Sequence, residues 1–268
     1  MATPFISLLE PGKVEEFQRG LPLDQQPSTI PQTFLDAMEV RQSVFVQEQK
    51  VPAENEFDSD DNRSCHWVIY ASVKKTEEPE ILDKAGNVLQ HRKSSTRSTP
   101  IGTIRLVPFP HDPHPQDGGR YIDGRLQDNH GEQNHMVLTG GVGRPPYIIE
   151  RETTFHDGQE PYVKLGRLAV IKEFRGHHIA GQVVNAALSW IKSNPSFFDP
   201  SIKEVGMKQL GAASDKEIPT WKGLVCVHAQ KQVVDVWKKW GFELDEGMGT
   251  WWEEGMPHVG MFRRLDIA

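Results

Sequence analysis

Cysteine is nearly absent: the 268 residues hold two, Cys65 and Cys226. Two thiols cannot build a disulfide framework or a multi-cysteine metal cluster. Each lies in a strand-like apolar run, CHWVIYASV and LVCVHA, which reads as a buried thiol in a reducing compartment. A basic excess is missing too. Lys and Arg number 30 against 37 Asp and Glu, a net charge of −7. That balance argues against nucleic acid as a main partner. No apolar run reaches membrane-span length, so no membrane partner is expected. The opening MATPFISLLEPGKVEEF has no basic n-region, no apolar h-region and no Arg-rich pattern. Neither a secretory nor a mitochondrial leader is expected, which points to the cytoplasm and leaves the nucleus open. No repeat, no G-x-x-x-x-G-K-[ST] and no G-x-G-x-x-G is present.

The chain is 37% hydrophobic and 25% charged, enough to bury a core without staples. Residues 31–48 read as a helix, with Phe34, Met38, Arg41 and Phe45 on one face. VPAENEFDSDDNR is a carboxylate-dense loop. CHWVIYASV and IGTIRLVPF read as strands, joined by a polar stretch that suits an extended hairpin. Residues 110–160 are rich in Gly, Pro, His and Asp, too long for an ordinary loop. YVKLGRLAVI is a strand whose apolar phase slips by one beside Gly166, the mark of a β-bulge. A helix follows, with Ile179, Ala180, Val183, Val184, Ala187, Leu188 and Ile191 on one side. LVCVHA is a strand, QKQVVDVWKKWGF a short helix, and two strands with a Gly-Met-Pro turn end the chain. The alternation is that of an α/β layer fold with a mixed sheet and helices on both faces.

The stretch VIKEFRGHHIAG takes a strand through a turn into a helix start. Unpaired N–H groups converge at such a start, and the helix dipole adds about half a positive charge. Gly176 eases the turn and Arg175 adds a cation. An anion such as a diphosphate suits it; so does an ordinary strand–helix turn with an exposed Arg.

LGRLAVIKEFRGHHIAGQVVNAAL resembles motif A of the GNAT N-acetyltransferases, where Arg/Gln-x-x-Gly-x-Gly/Ala binds the pyrophosphate of coenzyme A. Arg175 and Ala180 match, and His178 stands where the family has Gly. VRQSVFVQEQKVPAENEFDSDDNRSCHWV is similar to the N-terminal signature of the ElaA/YjcF-like branch. IGTIRL, HAQKQVVDVWKKWGF and EEGMPHVGM resemble further family segments in family order, spanning residues 35–262. The resemblance implies one GNAT (acyl-CoA N-acyltransferase) domain over 1–268, with a mixed, mostly antiparallel central sheet. Insertions at about 74–99, 110–160 and 193–222 lie outside it.

The implied activity is direct transfer of an acetyl group from acetyl-CoA to a primary amine of a small molecule or exposed amino group. Leu168, Ala169 and Val170 would pair with the pantetheine arm, and a gap near Val225 would open for the thioester. The Val170 N–H would polarise the thioester carbonyl. Arg175, Gly176, His177, His178, Ile179, Ala180 and Gly181 would cradle the pyrophosphate, and Gln230 would touch the cofactor. Phe45, Glu48 and Gln49 would form the acceptor wall. The general base is left open among Glu48, Asp58, His66, His228 and His258; Asp58 and His66 are also acceptor-side candidates. Many family members supply a Tyr acid where this chain has Trp237, which reads as a core aromatic. His111, His114, His130 and His135 lack regular metal-ligand spacing, and no metal is expected. Two other classes compete: a GNAT-like acyl-CoA sensor without turnover, and a nucleotide-phosphate binder using the helix start. A homodimer is left open.

Overall fold

The computed structural model describes residues 5–82, 88–91, 93–127, 133–137, 145, 147–199 and 220–267. Strand β1 (Phe5–Leu9) precedes helix α1 (Gln32–Arg41), a π-helical turn (Gln42–Glu48) and the short α2 (Asp60–Arg63). Strands β2 (Cys65–Glu78), β3 (Ile81–Leu82), β4 (Val88–Gln90) and β5 (Lys93–Val107) follow. Next come β6 (Arg120–Ile122), β7 (Arg125–Gln127), β8 (Gln133–Val137) and β9 (Val163–Val170). Helix α3 (Ile179–Ser193) leads to β10 (Leu224–Gln230), α4 (Val234–Lys239), β11 (Glu243–Leu244), β12 (Thr250–Glu253) and β13 (Met256–Arg264).

The main sheet runs β1-β2-β5-β9-β10-β13-β12-β6-β7-β8, with β11 on β13. Its pairs are antiparallel except β9–β10 and β12–β6. The expected mixed, mostly antiparallel sheet is therefore the one observed. Alternation along each strand sorts side chains onto two faces. Trp67, Ile69, Val225 and Val227 face α3, whose Val183, Val184, Ala187, Leu188 and Ile191 are buried there. Burying each of these Val, Leu and Ile side chains contributes about 1.5–3 kcal/mol. On the opposite face α1 packs Ala37 on Val68 and Tyr70. Further along that face Leu224, Cys226 and Phe262 meet Tyr121, Tyr162, Met248 and Trp251. Both thiols are buried and free, as expected. No helix among the described residues is long and apolar enough to cross a membrane.

Three readings of the sequence change. The helix expected over 31–48 is α-helical only to Arg41; beyond it Gln49 N–H reaches back five residues to Val44 O (3.1 Å). Apolar spacing cannot separate four-residue from five-residue steps here, because Val44 and Phe45 are both apolar. The insertion expected over 110–160, in which the sequence showed no strand, contains β6, which joins the main sheet beside β12. Strands of three residues are too short to show a period. The stretch expected as a carboxylate-dense loop ends in α2, and of its acids Glu56, Asp58, Asp60 and Asp61 are buried while Glu54 is exposed. Of the stretch 193–222, residues 200–219 lie outside the described residues.

Candidate functional site

Strands β9 and β10 pair in parallel only from Val163–Val225 to Leu165–Val227. Beyond that register β9 turns to β5 and β10 to β13, and a gap opens between them. The cause is the expected bulge. Arg105 pairs with Gly166 and Thr103 with Ala169, so an extra residue sits in β9. Arg167 takes it up with φ 51°, a left-handed conformation uncommon for a residue with a side chain.

A buried ionic cluster pins that bulge. Arg167 lies 3.2 Å from Glu56 and 3.0 Å from Asp58. Asp58 also pairs with Arg105 at 2.6 Å, and Arg105 with Asp61 at 2.9 Å. Arg41 completes the set, 2.6 Å from Glu56 and 2.7 Å from Asp61. Burial alone would push the Asp61 carboxyl up, but Arg41 and Arg105 hold it well below the usual range. Three arginines against three carboxylates leave no uncompensated charge, which buried ions require. Sequence reasoning noticed these carboxylates and missed their cations, which arrive from α1, β5 and β9.

Asp58 and His66 were placed on the acceptor side from the sequence; the structure buries both. The Asp58 oxygens accept from Arg105, Arg167 and the Asp60 N–H. His66 Nε2 faces Asp61 O at 2.8 Å, with its ring edge-on to Phe34. Burial lowers the His66 pKa to about 4, so it stays neutral at ordinary pH.

The other expected residues gather around the gap. Ile171 N–H bonds Ile101 O on the β5 side (2.9 Å). Successive strand amides alternate in direction, so the Val170 N–H faces the gap. Leu168 and Val170 pack against the α3-side core, while Ala169 turns to Val40 and Val44. Phe45 rests on that second cluster. Glu48 is exposed at the end of the π-helical turn, and Gln49 exchanges hydrogen bonds with Gln230 (3.0 and 3.4 Å).

Beyond β9, Gly176 has φ 79° and His178 φ 59°. His178 thus adopts the left-handed backbone that a Gly would supply there, at the N-cap of α3. The first intrahelical bond runs from Gln182 N–H to His178 O (3.2 Å). The amides of Ile179, Ala180 and Gly181 precede it, outside the helical ladder. Gly181 faces Trp240: a Cβ there would come within 3.3 Å of the indole nitrogen. His177 Nδ1 folds back on Arg175 O (2.9 Å). Arg175 donates from Nε to Val170 O and pairs through Nη2 with Glu48, both at 2.9 Å.

On the α1 side of the same gap, His228 Nδ1 lies 3.3 Å from Glu253, which also accepts from Trp251 Nε1 (2.7 Å). His228 Nε2 is buried with no partner among the described residues. His258, level with Gln230 across β10–β13, donates from Nδ1 to Met256 O (2.9 Å). Burial opposes ionisation of Glu253, yet His258 and His228 hold its carboxyl below the usual range. Glu253 was missed in the sequence; its place opposite His228 depends on the β10–β13–β12 order. Trp237 is buried in α4 against Trp240 and Phe242, with centroids 5.1 Å from each.

No protein-family model matches the chain, and no curated protein matches it. Among solved structures it is similar to an acyl-CoA N-acyltransferase from Pseudomonas aeruginosa, at 16% identity, over 97% of this chain and 99% of that one, with a TM-score of 0.45. Escherichia coli ElaA is similar at 15% identity, over 97% and 100%, with a TM-score of 0.41. A CoA-dependent acyl-homoserine lactone synthase, BjaI, solved with SAM and isopentyl-CoA, is similar at 12% identity, over 98% and 84%, with a TM-score of 0.45. Likeness at that level carries no argument about chemistry.

Proposed function

We propose that the chain is an acyl-CoA-dependent N-acyltransferase of the GNAT type that moves an acetyl group from acetyl-CoA to a primary amine. The observation that carries this reading is the parting of β9 from β10 beyond Leu165 and Val227, directly beside the left-handed turn that starts α3. An extended pantetheine arm would lie along Leu168, Ala169 and Val170 as an added strand. The pyrophosphate would take the amides at Ile179, Ala180 and Gly181, with Gly176, His177 and His178 shaping the turn and Arg175 adding charge. Gln230 would close the cofactor side, and Phe45, Glu48 and Gln49 the acceptor side.

In the reaction the amine nitrogen attacks the thioester carbon, whose oxygen accepts from Val170 N–H. The C–S bond breaks, the amine proton passes to a base, and the thiolate takes a proton on leaving. Glu48 is the proposed base. A diphosphate competing for Arg175 would release its carboxylate, coupling cofactor binding to base activation. His258 and His228 stand on the other wall as proton carriers. Asp58 and His66 are left out of the proposed site: both are buried, with the Asp58 oxygens taken by Arg105 and Arg167 and His66 Nε2 facing Asp61 O.

Thiol release from acetyl-CoA, measured across a panel of amines, tests the reading. Turnover with an amine supports it; no CoA binding by calorimetry removes it. A second reading, an acyl-CoA holder without turnover, is favoured by buried Trp237, which has no acidic proton to offer the thiolate. Tight CoA binding with no thiol release for any amine would select it.

A further inference from the structure

We propose that His114, Glu150 and His156 hold one transition-metal ion, zinc by the chemistry of its ligands, which fastens the segments around residues 114 and 150–156 to the sheet. The inference does not rest on the acyltransferase reading. His114 Nε2 and His156 Nδ1 lie 2.8 Å apart, and each is 3.7 Å from Glu150 Oε1. A single point stands roughly 2 Å from all three atoms, the length of a zinc–nitrogen or zinc–oxygen bond. Two imidazoles and a carboxylate are a zinc donor set.

Hydrogen bonds orient two of the three groups, His156 and Glu150, and ring packing holds the third, His114. His156 Nε2 faces Glu160 O at 2.9 Å, which places its proton there and leaves the Nδ1 lone pair toward the cluster. Glu150 Oε2 accepts the His114 backbone N–H at 2.6 Å, and the Tyr162 hydroxyl also donates to this carboxylate, which fixes it beside the imidazoles. Tyr162 stacks on His114 (5.5 Å) and stands edge-on to His156 (5.0 Å), and Phe262 flanks both rings. A cavity of about 10 Å³ borders Glu150, His156 and Tyr162, room for roughly one water as a fourth ligand.

The sequence concealed this grouping. It set His114 beside His111, His130 and His135. In the fold His111 Nε2 is engaged with Tyr162 O (2.8 Å), and His130 and the side chain of His135 lie outside the described residues. The partners of His114 come from 36 and 42 residues further on. The site also stands apart from the gap. Tyr162 precedes the first parallel pair of β9, whereas the gap begins after Leu165.

Tag-free protein stripped with a chelator, dialysed and titrated with zinc chloride tests the proposal. The expected result is one zinc per chain by emission spectroscopy and a Tm raised by about 5 °C. Glu150→Gln and His156→Gln, checked for folding by far-UV circular dichroism, are expected to lose that equivalent. Cobalt(II) in the wild-type chain is expected to give the intense visible bands of a tetrahedral imidazole site, a reading that needs no variant. A wild-type chain that takes no zinc and keeps its Tm would overturn the site, leaving a plain hydrogen-bonded trio. So would variants that bind zinc as the wild type does, or a cobalt spectrum like that of the hydrated ion.

Discussion

Arg175 and Glu48, 127 residues apart, form an ion pair at 2.9 Å across the mouth of the gap. One is the proposed phosphate contact, the other the proposed base. Both side chains are substantially exposed, so the pair adds at most about 1 kcal/mol to stability.

Arg175→Glu is therefore expected to keep the fold, with Tm within a few degrees of wild type, and to weaken CoA binding by about tenfold or more. Calorimetry measures it; an unchanged Kd removes the pyrophosphate assignment. Glu48→Gln is expected to lower kcat at neutral pH and, by freeing Arg175, to leave CoA binding as tight as wild type or tighter. Full activity would remove it as the base.

Asp61→Asn tests the buried cluster. Asp61 is bonded to both Arg41 and Arg105, and neutralising it leaves three guanidinium groups facing two carboxylates, Glu56 and Asp58. The expected loss is about 3 kcal/mol in urea unfolding. A change below about 0.5 kcal/mol, the size of a surface substitution, would mean that the cluster is hydrated.

His66 supplies a pH dependence whose sign is fixed. Burial is the main cause that lowers its folded pKa to about 4, from an unfolded value of 6.5; Arg41 and Arg105 add to it, while Asp61 opposes it. Between those values the unfolded chain binds more protons, so stability falls as pH drops below 6.5. Its share between pH 7 and pH 5 is about 2 kcal/mol. The loss of stability over that range is expected to shrink by that amount in His66→Gln. An identical slope in both chains would contradict a neutral buried imidazole.

His178→Gly removes a side chain from a left-handed N-cap. The expected result is a stability change within about 1 kcal/mol and CoA binding as tight as wild type or tighter. Gly176→Val, at φ 79° and with open space around its Cβ, meets backbone strain alone. It is expected to cost about 1–2 kcal/mol and to weaken CoA binding. Unaltered affinity in Gly176→Val would separate the turn from the cofactor.

Trp237→Phe is expected to lower stability by about 1–2 kcal/mol through lost packing on Trp240 and Phe242. The rate of thiol release should stay within about twofold, less than the loss of a general acid. A larger fall would give Trp237 a role in the site.

The long strands β2, β5, β9, β10 and β13, the α3 stripe and the bulge beside Gly166 were legible in the sequence, because each is a local periodicity or a break in one. The turn at Arg175, Gly176 and His178 was legible for the same reason: a strand end, a Gly and a helix start adjoin in the chain. Only the tertiary structure decided which charges meet. Arg41, Arg105 and Arg167 come from a helix and two strands, and no spacing along the chain announces that they close on Glu56, Asp58 and Asp61. It also decided that Glu48 reaches Arg175, that Glu253 reaches His228, and that His114 joins Glu150 and His156. Backbone preference is written over a few neighbouring residues, whereas the partners of a buried charge are set by the order in which strands lie side by side.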